Sequence, residues 1–104
     1  MQRAAFKMRL KAGAAAEYQK RHAAIWPELV AELKAAVISS YSIFLDEETD
    51  TLFAVQNVED NNAVHELADS LFVRKGWSYM APLVEVHADN SPVTSPLREV
   101  FHLA

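Results

Sequence analysis

Apolar and polar residues alternate at the start of the chain. Phe6, Met8 and Leu10 share one parity, with Lys7 and Arg9 between them, and this period of two predicts a strand over Ala4 to Leu10. Gly13 marks the turn out of it. The period then lengthens: Tyr18, His22, Ile25, Leu29 and Leu33 recur at three and four, with Glu17, Lys20, Glu28 and Lys34 opposite. That stripe predicts an amphipathic helix from about Ala14 to about Ala36. Pro27 interrupts it, because its ring clashes with the carbonyl of Ala23 and removes a hydrogen bond. A kink or restart is expected between Ala23 and Pro27, just after His22, where a break exposes backbone groups.

Val37 to Leu45 reads as a second strand. Tyr41, Ile43 and Leu45 share one parity and Ile38 and Phe44 the other, so both faces look partly covered. The polar run Asp46 to Asp50 is a solvated turn, and Leu52 to Val58 is the next strand, antiparallel to the last. Asp60-Asn61-Asn62 offers N-cap residues for a second helical region over about Ala63 to Met80, broken near Ser70 and softened at Gly76. Pro82 ends that region, and Ala88 to Pro92 is a turn. Leu97, Glu99, Phe101 and Leu103 alternate with Arg98, Val100 and His102, predicting a last strand from Leu97 to Leu103.

The order β-α-β-β-α-β describes an α+β, ferredoxin-like domain: a four-stranded antiparallel sheet with helices on one face. The chain of 104 residues holds one such domain, with one core. Since helices cover only one sheet face, an apolar second face seeks a partner. The expected assembly is a homodimer with two-fold symmetry in which sheets pack together, the dimeric α/β barrel arrangement.

Composition narrows the function. Ten Lys and Arg against fourteen Asp and Glu leave a net charge of −4, and nucleic-acid binding needs a basic footprint. There is no cysteine, which excludes disulfides, thiolate metal sites and thiol catalysis. No apolar run approaches a membrane span, and charges stand where a signal peptide needs its apolar region, so a soluble cytoplasmic protein is expected. GxGxxG, P-loop, GxSxG and HExxH patterns are missing, and the histidines lack metal-ligand spacing.

The chemistry-bearing stretch is Tyr18 to Leu29. Tyr18, His22 and Trp26 stand four apart and stack along one side of a helix. A phenol, an imidazole and an indole near a helix break suit a small polyhydroxylated ligand, the rings packing on C–H faces while O–H and N–H groups bond hydroxyls. Imidazole both gives and takes protons near neutral pH. On periodicity alone the same residues read first as a core stripe with their polar atoms tied to the backbone, and a site is the less common outcome of such spacing. Tyr41 either points at a cavity under the first helix or fills the dimer-side core. Trp77, beside Gly76, is either a sugar platform or a core anchor.

Taken together, the residues resemble the L-rhamnose mutarotases along nearly the whole chain. Glu17-Tyr18-Gln19-Lys20-Arg21-His22, Ile25-Trp26-Pro27-Glu28-Leu29, Tyr41-Ser42-Ile43, Asp89-Asn90-Ser91-Pro92-Val93 and Glu99-Val100-Phe101-His102-Leu103 carry the likeness. The resemblance implies a homodimeric sugar epimerase that interconverts the α and β anomers of L-rhamnopyranose and needs neither metal nor organic cofactor. It assigns His22 as general acid and Tyr18, Tyr41, Gly76 and Trp77 to sugar binding. The family usually has a Trp-Trp pair where this chain has Gly76-Trp77, so one aromatic wall is missing. That departure leaves open a mutarotase for another deoxy sugar. A non-catalytic sugar-binding module and a cofactor-free oxygenase are the remaining readings.

Overall fold

The structure, a computed structural model, describes residues 2–25, 27–35, 38–58 and 71–103. Trp26 and residues 59–70 fall outside it, and with them the expected N-cap at Asp60 to Asn62 and the first part of the second helical region. Among the described residues the elements run β1 (Gln2–Arg9), α1 (Ala15–Ala23), α2 (Pro27–Ala35), β2 (Ile38–Asp46), β3 (Thr51–Val58), α3 (Leu71–Met80) and β4 (Ser95–Leu97). The strands form one antiparallel sheet in the order β2-β3-β1-β4. The long central pair β1 and β3 lies between two edges, as a split β-α-β topology requires.

Gly13 takes φ 76°, the left-handed turn that returns the chain from β1 to α1. The first helix divides where Pro27 predicts: α1 ends at Ala23 and Pro27 opens α2, a position where its missing N–H costs nothing. The Ile25 amide closes α1 by donating to the His22 carbonyl at 3.2 Å, a tightened last turn directly over His22.

Alternation along β3 sets the two faces. Leu52, Ala54, Gln56 and Val58 are buried, while Thr51, Phe53, Val55 and Asn57 are half-buried. Met8 and Phe6 of β1 sit opposite Leu52 and Ala54, and Leu45 and Ile43 of β2 face the same pair. On this face Met8, Leu10, Leu52, Ala54, Met80, Leu83 and Val84 form the core, with Ala15 and Tyr18 of α1 packed against it. The opposite face carries Phe44 (61% exposed) beside Phe53, with Val55, Ala5 and Leu97.

Two expectations change. The mixed parity of β2 comes not from cover on both faces but from a register shift between Ser39 and Ser42, with Ser40 at φ 48°. The extra residue puts Ile38, opposite Val58, on the same side as Tyr41, Ile43 and Leu45. The last strand is Ser95–Leu97 rather than Leu97 to Leu103. Leu97 pairs with Ala5, so continuing the register would set residue 100 against Gln2, the end of β1. Pairing stops earlier than that: residues 98–103 leave the ladder, Val100, Phe101 and Leu103 are each about four-fifths exposed, and Glu99 is held by Arg3 through a side-chain ion pair at 2.9 Å.

Candidate active site

An open cleft of about 950 Å³ lies between the core face of the sheet and the helices. Tyr18, His22, Tyr41, Gly76 and Trp77, the candidates legible in the sequence, all line it. Three elements bring them together: α1 presents Tyr18 and His22 one turn apart, the bulged strand β2 turns Tyr41 inward, and α3 brings Gly76 and Trp77. Ile25, Leu29, Leu33, Ile43 and Leu45 supply apolar walls. Gly76 is buried and Trp77 half-buried. Trp26 lies outside the described residues, so the third ring of the expected stack is not placed.

The Tyr18 and His22 rings are in contact, with centroids 4.4 Å apart and planes tilted by 52°. The Nδ1 of His22 stands 3.2 Å from the Tyr18 carbonyl. A carbonyl only accepts, so Nδ1 carries the hydrogen and the neutral ring keeps its lone pair on Nε2. Burial holds the His22 pKa below its ordinary 6.5, against the smaller opposing effect of that backbone bond. The imidazole is therefore neutral at pH 7. Both phenols are shifted the other way. Burial, and then the neighbouring Tyr41, push Tyr18 well above the ordinary tyrosine value; burial raises Tyr41. Near neutral pH the cleft thus offers two protonated phenols as donors and an imidazole nitrogen as base.

Arg21, next to His22, points out of the cleft and ties the helices together. It pairs with Glu17 at 2.9 Å, donates to the Tyr79 carbonyl, and stacks its guanidinium over the Tyr79 ring, 4.8 Å from the centroid. The contact joins the helix of the base to the helix of Trp77 and puts a cation at the C-terminal end of α3. Gln19, Glu47 and Asn90 also line the cleft. Periodicity gives no sign of them: Gln19 sits off the apolar stripe, and Glu47 and Asn90 are in turns.

A sheet of this order over a cleft lined by two protonated phenols, a neutral imidazole and apolar walls defines a small α+β protein with groups suited to acid–base chemistry on a hydroxylated ligand. The L-rhamnose mutarotase family model matches residues 3–103, and the chain belongs to that family. It is 54% identical over 103 residues to an L-rhamnose mutarotase of Bacteroides thetaiotaomicron and 55% identical to one of Sinorhizobium medicae, with 99% of each chain covered in both cases. Its fold is similar, at TM-score 0.92 and 47% identity over the whole of both chains, to the crystal structure of the L-rhamnose mutarotase FA22100 from Formosa agariphila.

Proposed function

We propose that this chain catalyses the interconversion of α- and β-L-rhamnopyranose by ring opening and reclosure, with His22 moving the proton. Opening breaks the C1–O5 bond, removes the proton from the C1 hydroxyl and places one on O5, leaving a C1 aldehyde. Rotation about C1–C2 and reclosure on the other carbonyl face reverse these changes, so no redox step or covalent intermediate is needed. Both oxygens are bonded to C1, so one imidazole reaches both. Nε2 of neutral His22 takes the hydroxyl proton and, as imidazolium, returns it to O5. The general-acid role implied by the family likeness is the second half of that cycle. Tyr18 and Tyr41 donate to sugar oxygens, and Trp77 packs on a sugar face.

The observation that carries this reading is the bond from His22 Nδ1 to the Tyr18 carbonyl, which leaves Nε2 basic in a cleft lined by two protonated phenols. Magnetisation transfer between the anomeric protons tests it: catalytic amounts of protein accelerate exchange for L-rhamnose, and L-fucose and D-glucose run alongside show how far the Gly76 opening relaxes the choice of sugar.

The reading includes a homodimer. Phe44, Phe53 and Val55 on the open sheet face, and the apolar residues 100, 101 and 103 beyond the end of β1, are the surfaces a second copy covers. It also places the enzyme in the cytoplasm.

A further inference from the structure

Tyr18, Tyr41 and His22 meet only part of the demand of a bound sugar. The two phenols are held protonated and serve first as donors. Each sugar hydroxyl also has a hydrogen to give, and a buried donor without an acceptor is costly. The cleft therefore needs acceptors beyond these three side chains, and among its lining Gln19, Glu47 and Asn90 carry them, Asn90 on a cross-braced loop.

Asn90 meets that need. It lines the cleft, although it lies in the 87–92 loop rather than on a helix or strand. It adopts φ 70°, the left-handed region, which Asn tolerates better than other side-chain-bearing residues. The loop around it is cross-braced: His87 N donates to the Ser91 carbonyl at 2.8 Å, Asn90 N to the His87 carbonyl at 2.9 Å, and Ser91 N to the Asp89 carboxylate at 3.0 Å. Bridges between Val86 and Pro92 and between Leu10 and Val84 fasten its stem to the core. The Asn90 Nδ2 donates to Ser78 Oγ at 3.4 Å, and Ser78 follows Trp77 on α3. That long contact favours one orientation of the carboxamide, in which Oδ1 remains as acceptor.

We infer that Asn90 is a sugar-binding residue of this site, its carboxamide oxygen accepting a hydrogen bond from one sugar hydroxyl and its orientation favoured by Ser78. The inference rests on the mutarotase reading and deepens it. Strained backbone held by a braced loop at a ligand cleft is the pattern expected of a positioned binding group, and it gives the loop a part in choosing the substrate.

The test separates side chain from backbone. Asn90→Gly accepts the same φ and removes only the carboxamide; Ser78→Ala keeps the carboxamide but frees it to rotate. Anomer exchange is measured for wild type and both variants with L-rhamnose and with L-rhamnose analogues deoxygenated at one hydroxyl at a time. Asn90→Gly should raise KM by roughly three- to tenfold, with kcat within about twofold and the melting temperature unchanged. Ser78→Ala should move KM the same way by less. The analogue lacking the bound hydroxyl should be insensitive to Asn90→Gly. If wild type accelerates exchange and Asn90→Gly leaves every KM within about twofold, the Asn90 assignment is overturned and the mutarotase reading stands. If wild type accelerates exchange of no sugar, that reading falls and the assignment falls with it.

Discussion

Replacing His22 by alanine separates its catalytic role from its structural one, because the two differ in size. Structurally, His22 contributes a bond to the Tyr18 carbonyl at the long distance of 3.2 Å and a ring contact at 4.4 Å, and it is only half-buried. The bond is worth about 0.5–1 kcal/mol and the ring contact a similar amount. Alanine returns about 0.5 kcal/mol as the better helix former. The net loss is about 1 kcal/mol against the 5–15 kcal/mol typical of a domain, a fall in melting temperature of about 4–8 °C. The variant should remain folded by circular dichroism. Catalytically, a positioned acid–base group contributes about 10²–10⁴-fold, or about 2.7–5.4 kcal/mol of barrier. Saturation transfer between the anomeric protons of L-rhamnose should therefore show exchange reduced by at least about a hundredfold in a folded protein. A folded His22→Ala protein that keeps exchange within about threefold of wild type would refute the proton-transfer role.

Because burial depresses the His22 pKa and the mechanism starts from the neutral ring, kcat/KM should be flat from pH 7 to 9 and decline on an acid limb lying below 6.5; activity that rises on acidification contradicts the order of proton transfer. The same depression makes the folded state bind fewer protons there than the unfolded chain, so His22's contribution to stability is present above pH 6.5 and is lost as pH falls through its folded value; urea midpoints of wild type and His22→Gln should converge on acidification. Tyr18, shifted upward, should give no alkaline limb below about pH 10, and Tyr18→Phe should raise KM without changing the acid limb. Leu52→Ala, at a position 2% exposed in the core, should cost about 2–5 kcal/mol in urea unfolding with an unchanged denaturant slope. Phe44→Glu, on the open sheet face, should shift the sedimenting species from dimer to monomer; a monomeric wild type would remove the proposed assembly.

Much of the site was readable because its chemistry lies on one helical stripe. Tyr18 and His22 are four residues apart, so their contact follows from helix geometry alone. The break at Pro27 was equally local, since the clash of its ring with a preceding carbonyl belongs to the residue itself. What stayed undecided was whether the stripe faced a filled core or a cleft, for both give the same period.

The chain's own pattern determined the kind and order of its elements and the split first helix. Local backbone sterics and side-chain period decide these. Tertiary structure alone decided the rest. The bulge at Ser40 puts Ile38 and Tyr41 on one face, although their parities differ. The final strand stops at Leu97, three residues short of the end of β1, and the exposed chain beyond it is tied back through Glu99 and Arg3. Asn90 reaches the cleft because a loop far along the chain folds against Ser78. Each depends on which neighbour lies across a sheet or cleft, and those distances are set by packing between segments remote in sequence.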